Sequence, residues 1–226
     1  MAKLSVRRKS VLENPEEVLN LAQRLLEQVK RQGKWLALGL ALVVAVLAAW
    51  YINAKMQERR EEQALAALAQ VRPQLAAPAA NAESVKALEG ITRDYAGTFG
   101  ARDAQLLRAN LLYKMKNYAE AAKAYESLLR GGDPGWDTLI NESLSYCYEG
   151  LGDFKKAAAT LKRVEEQASG PFKGVVTQRL ALLLEQAGDY QEAAVYWKKL
   201  LDEGGNPAMK PYLDEKLAAA EAKGKK

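Results

Sequence analysis

The sequence predicts an all-α protein in which a single N-terminal transmembrane helix is followed by an α-solenoid of helical hairpins. Three observations predict it. An uncharged apolar run of 18 residues extends from Trp35 to Ile52, and a set of residues recurs every 36 positions beyond residue 100. No run of strand-like apolar/polar alternation follows residue 82, so the later periodicity is helical throughout.

Composition narrows the chemistry before any motif is considered. The chain of 226 residues carries 33 Lys and Arg against 28 Asp and Glu, with no histidine and a single cysteine, Cys147. Without histidine the commonest general base and metal ligand is missing, and Ser/His/Asp and Cys/His catalysis are excluded. One cysteine allows no internal disulfide, no thiolate zinc site and no CxxC pair. The first 34 residues hold 8 basic and 4 acidic side chains, which leaves 25 against 24 for the rest. A domain so evenly charged lacks the basic face that phosphate neutralisation needs, and no nucleic-acid partner is expected. No paired carboxylates stand out as catalytic acid and base, no cofactor motif is present, and the sequence predicts no enzyme.

Residues 1–34 form a basic tail containing Lys3, Arg7, Arg8, Lys9, Arg24, Lys30, Arg31 and Lys34. Asn14-Pro15-Glu16-Glu17 reads as a helix start, with a cap, a proline at the first helical position and acids near the positive end of the dipole. Val18, Leu21, Ala22, Leu25 and Val29 then share one face, an amphipathic helix ending at Gly33 that suits a membrane surface or a partner.

Residues 35–52 follow as the membrane helix. Eighteen residues at about 1.5 Å each span roughly 27 Å, enough to cross a bilayer core. Trp35 stands at one end and Trp50 and Tyr51 at the other, as interfacial anchors do, bracketed by Lys34 and Lys55. A cleaved signal peptide fits poorly, because its charged leader would be 34 residues long and the run ends in bulky aromatics. The basic tail predicts a cytoplasmic N-terminus, partly offset by Lys55, Arg59 and Arg60. Ala37, Ala41, Ala45 and Ala49 recur every four residues as a small-residue stripe, either a packing face for a second membrane helix or an Ala-rich helix with no partner.

Residues 53–82 read as a helical stalk, ending near Pro73, and a linker (AAPAANA). Residues 83–226 form the repeat domain. Tyr118, Phe154 and Tyr190 are 36 apart, as are Ala121, Ala157 and Ala193, the bulky Tyr125, Leu161 and Trp197, and then Leu128, Val164 and Leu200. Gly152-Asp153 and Gly188-Asp189 supply a turn glycine and a helix cap, with Lys116-Asn117 the weaker first copy. Small residues Ala109, Ser145 and Ala181 mark the tight point of each first helix. Each hairpin leaves an apolar face that only its neighbour can cover, so the units stack. A half-repeat at Ser84 to Tyr95 precedes them, and a charged capping helix at Pro211 to Lys223 closes the open end.

This pattern resembles the tetratricopeptide repeat, with two residues beyond the usual 34-residue unit. Together with the charged tail, the GKWLALGLALVVAVLAAWYI helix and the stretch NAESVKALEGITRDYAGTFGARDAQLLRANLLYKMKNYAEAAKAYESLL, the chain is similar to the YfgM-like ancillary subunits of the bacterial SecYEG translocon. The resemblance implies a single-pass protein of the bacterial inner membrane with its repeat domain in the periplasm, beside the translocon and a PpiD-type periplasmic chaperone.

Stacked hairpins present their first helices on a concave side. By the repeat register that surface carries Asp103, Leu106, Asn110 and Tyr113, then Leu139, Glu142, Tyr146 and Glu149, then Val175, Gln178, Leu182 and Glu185. Apolar and aromatic positions suit a bound polypeptide segment, and the glutamates favour basic partners. The competing reading has the stalk or the end helix covering part of this face. A clamp for a chain-terminal carboxylate does not fit, because Leu106 and Val175 stand where lysines would be and only Asn110 and Arg179 match. Cys147, between Tyr146 and Tyr148, reads as a small buried residue. The predicted function is a non-enzymatic, membrane-anchored module that binds partner or client polypeptides. The alternatives are a scaffold for another envelope complex and an enzyme subunit whose chemistry a partner supplies.

Overall fold

The computed structural model describes residues 15–76, 82–130, 134–204 and 207–225. The basic residues before Asn14, the Asn14 cap and most of the linker lie outside the described residues, as do the side chains of Val18, Leu21, Ala22, Leu25 and Val29. Nine α-helices are described, with no strand among the described residues: α1 (Pro15–Ala76), α2 (Ala82–Asp94), α3 (Phe99–Lys114), α4 (Tyr118–Arg130), α5 (Pro134–Gly150), α6 (Phe154–Gln167), α7 (Gly170–Gln186), α8 (Tyr190–Asp202) and α9 (Lys210–Gly224), the last preceded by a 3-10 turn at Pro207–Met209. The chain divides into two units, Met1–Arg59 and Arg60–Lys226.

In the first unit α1 does not end at Gly33 but continues through it, since one glycine costs an otherwise strong helix only about 1 kcal/mol. Its apolar stretch is long enough to cross a membrane and none of it is buried. Trp35, Leu40, Leu47, Trp50 and Tyr51 are all exposed, and so are Ala37, Ala41, Ala45 and Ala49.

In the second unit the end of α1 belongs to the repeat core. Ala64, Leu68 and Val71 are buried, and Leu68 and Val71 cluster with Leu88 and Ile91 of α2 and Ala104 and Leu111 of α3. The half-repeat expected at Ser84 is therefore the second helix of a whole hairpin whose first helix is α1. The helix ends near Pro73 as expected, three residues beyond it at Ala76, with Leu75 packed against the same cluster. Two contacts fasten this hairpin to the next. The Glu61 carboxylate accepts the backbone N–H groups of Phe99 and Gly100, each at 2.8 Å, so a side chain of α1 satisfies donors that the start of α3 leaves open. A Cβ on Gly100 would lie 2.7 Å from that of Ala64, so only glycine permits this approach.

The 36-residue register survives in detail. Ala121, Ala157 and Ala193 have zero exposure, as do Ala109, Ser145 and Ala181. Tyr125, Leu161 and Trp197 are at most 2% exposed. The three turns repeat one hydrogen-bond pattern, from Lys116 N–H to Tyr113 O, Gly152 N–H to Glu149 O and Gly188 N–H to Glu185 O. All three donor residues have positive φ, 61° for Lys116, 75° for Gly152 and 81° for Gly188, so the first copy holds a lysine in a conformation that suits glycine. Of the two expected aspartate caps, Asp153 accepts from Lys156 N–H at 3.1 Å, whereas Asp189 makes no such bond. Tyr118 is half-buried, its ring 5.4 Å from that of Tyr113 and packed on Gly150 of the following hairpin, so it serves the contact between hairpins as well as its own. α9 closes the stack with Leu213 and Ala220 buried and Tyr212 edge-on to Trp197 at 6.0 Å.

Candidate functional site

The first helices of successive hairpins, namely the end of α1, α3, α5, α7 and α9, form one row. Side-chain bridges link each to the next. Arg72 meets Asp103 at 2.9 Å. The Tyr113 and Tyr146 rings stand edge-on at 6.5 Å. The Arg179 guanidinium lies 3.3 Å above the centre of the Tyr146 ring and donates to Glu149 at 2.7 Å. Glu185 accepts from Lys216 of α9 at 2.8 Å and from the Trp197 indole at 2.8 Å. Glu149 and Glu185, expected to attract basic partners, are thus already paired within the domain.

Tyr113, Tyr146 and Arg179 are spaced 33 apart, not 36. Equivalent residues recur every 36 positions, but a side chain on one first helix meets the residue about one turn earlier than its equivalent on the next. The same offset aligns Leu106, Leu139 and Phe172, two turns before the first set. Leu139 is 52% exposed, Phe172 41%, Val175 64% and Tyr146 38%, an apolar surface left open on α5 and α7. Leu106 and Leu182 are half-buried against the core clusters, and Glu142 and Gln178 are half-buried. Arg179, which sequence reasoning weighed only as a clamp residue, is the cation of this surface. Its signal was the 33-residue step from Tyr146, which alignment by repeat register conceals.

Asn110 sits beneath a short polar relay. Burial pushes the Tyr125 hydroxyl up to about 12, while a hydrogen bond with Ser143 works the other way, as a donor to the phenolic oxygen does. Tyr125 gives its own proton to Asn110 Oδ1, which fills one of that oxygen's two acceptor positions. Beside it opens a cavity of about 320 Å³ lined by Leu75, Leu107, Asn110, Leu111, Tyr113 and Lys114, between the end of α1 and α3. Burial also raises the Tyr113 hydroxyl above its ordinary value. Cys147 is fully buried and its thiol is pushed up to about 11. No cluster of three or more metal-ligating side chains occurs among the described residues.

A model of the tetratricopeptide repeat-like domain matches residues 29–221. The chain belongs to this family. No curated protein matches the sequence. Among solved structures it is similar to nearly identical TPR-like repeats of a putative kinesin light chain from Podosopora anserina, with 16% identity, a TM-score of 0.53, and coverage of 72% of this chain and 87% of that one. A singly substituted form of the same repeats gives the same values. BtubC (BKLC) from P. vanneervenii matches at 18% identity and a TM-score of 0.45, covering 74% of this chain and 84% of that one. Likeness at this level fixes the fold alone. A tetratricopeptide-like stack is an interaction scaffold with protein partners.

Proposed function

We propose that the protein is a non-enzymatic module, anchored by the apolar part of α1 in a bacterial inner membrane, that holds partner or client polypeptides along its row of first helices. The observation that carries this reading is the open apolar and aromatic surface of Leu139, Tyr146, Phe172 and Val175, on a family of repeats whose work is binding proteins. The unburied apolar stretch of α1 supports the membrane anchor, because a lipid environment removes from water side chains that the protein itself leaves uncovered.

The order of parts, from basic tail through membrane helix to repeats, supports an ancillary role at the SecYEG translocon with a PpiD-type chaperone, with the N-terminus in the cytoplasm and the repeats in the periplasm. Two experiments test it. Alkaline phosphatase fused after residue 226 matures only outside the cytoplasm and is expected to be active; an inactive fusion, with an active cytoplasmic reporter at the same place, inverts the topology. Photocrosslinkers at residues 139, 146 and 175 in native membranes are expected to capture translocon or chaperone subunits. Crosslinks confined to other envelope proteins favour a scaffold for another complex.

A further inference from the structure

The row of first helices does not carry its charges evenly. Asp103, Glu149 and Glu185 are each bound to a cation of a neighbouring first helix, whereas Lys114, at the end of α3, meets no carboxylate among the described residues. Lys114 is exposed and stands at the cavity beside α1. The cavity's floor is apolar, from Leu75, Leu107 and Leu111, and its polar contributors among the described lining residues are the Asn110 amide, the Tyr113 hydroxyl and the Lys114 ammonium. All three can donate, and the ammonium is the one charge among them. At about 320 Å³ it lies at the small end of the roughly 300–1,000 Å³ that ligand pockets span, suited to side chains of a passing segment and not to a folded element.

From this complementarity we infer that the cavity is the specificity pocket of the polypeptide surface, and that it takes an apolar side chain flanked by a side-chain carboxylate within a partner's internal segment. The inference rests on the polypeptide-binding reading and refines it, since the apolar floor receives Leu or a similar residue while Lys114 and the Asn110 amide receive the carboxylate. Charge selection at this end is thus acidic, opposite to what the glutamates of the sequence suggest. An exposed charge of this kind contributes selectivity and association rate more than raw affinity, and salt screens it.

The test uses the full chain in lipid nanodiscs and fluorescent Gly/Ser peptides blocked at both ends, with a central Glu-Leu-Leu-Glu, Lys-Leu-Leu-Lys or Glu-Ala-Ala-Glu. The Glu-Leu-Leu-Glu peptide is expected to bind about fivefold or more tightly than either control; its preference over Lys-Leu-Leu-Lys fades at high salt, whereas that over Glu-Ala-Ala-Glu persists. Lys114→Glu, on an exposed position that spares the fold, should reverse the order of the two Leu peptides, with circular dichroism unchanged. Equal binding of the two Leu peptides, or an unchanged order in Lys114→Glu, overturns the pocket while leaving polypeptide binding intact. Binding of no peptide overturns both. Tight binding only of an unblocked peptide ending in Leu shows a chain-terminal carboxylate as the occupant and also overturns the assignment.

Discussion

If the last turns of α1 are core and not stalk, two leucines three residues apart must differ sharply in what they hold together. Leu68 is 1% exposed and packs with Leu88 and Leu111, whereas Leu65 is 48% exposed. Leu68→Ala removes three buried carbons, about 2.4 kcal/mol at roughly 0.8 kcal/mol each, and the cavity left behind brings the total to about 2.5–4 kcal/mol. Leu65→Ala should cost well under about 1 kcal/mol. Hydrogen exchange on the full chain in mild detergent reads the difference, because amides of α2 and α3 that open with this hairpin should exchange on the order of a hundredfold faster in Leu68→Ala and almost unchanged in Leu65→Ala. Equal effects of the two substitutions would refute the packing of α1 into the first hairpin, and with it the cavity that α1 helps to enclose.

Three further outcomes follow from the repeat geometry. Ala157→Leu forces a large side chain into a fully buried contact, where Ser145 already donates to the Ala157 carbonyl at 3.0 Å, and should lower stability by about 1–3 kcal/mol in thermal unfolding; no change in melting would place the register elsewhere. Lys116→Gly relieves a positive-φ lysine and should raise stability by about 0.5–1 kcal/mol in denaturant titration, whereas a loss would mean that the lysine side chain stabilises the turn. The Asp153 carboxyl is held below its ordinary value by the Lys156 side chain and then by the Lys156 N–H, so its contribution is present above its usual pKa and lost as pH falls below it. Asp153→Ala should therefore destabilise near neutral pH and converge with the parent in acid, a convergence that urea titrations at two pH values would detect.

The features legible in the sequence were those that a repeated steric demand imposes. A closest approach between helices admits only a small residue, so Ala109, Ser145 and Ala181 and then Ala121, Ala157 and Ala193 announce themselves by spacing, and all six are fully buried. The apolar run of α1 is equally plain, because an uncharged stretch long enough to cross a bilayer is visible as unbroken sequence. What stayed hidden depends on partners distant in sequence. Leu68 and Val71 read as part of a stalk, yet they are buried in a core formed with α2 and α3. Glu61 looks like one more solvated acid of a stalk until the start of α3 is brought against it. In the candidate site, the register placed Tyr113, Tyr146 and Leu182 on one concave surface, whereas neighbouring first helices engage at a 33-residue offset, so Arg179 meets Tyr146 while Leu182 turns towards the core. Charge pairing was likewise invisible, because Glu149 and Glu185 find their cations 30 and 31 residues away.

The solitary cysteine gives the protein an experimental handle of its own. Cys147 lies at zero exposure in the second hairpin, and burial holds its thiol protonated well above neutral pH, so an alkylating reagent reaches it only when that hairpin opens. Its labelling rate is a clock for breathing at the middle of the stack, requiring no substitution at all. For the same reason, a cysteine introduced at an open position such as 139 or 175 would be the sole fast-reacting thiol of the folded chain. Spectroscopic pairs and crosslinkers can therefore be attached to the open surface of the native protein without first removing a residue from its core.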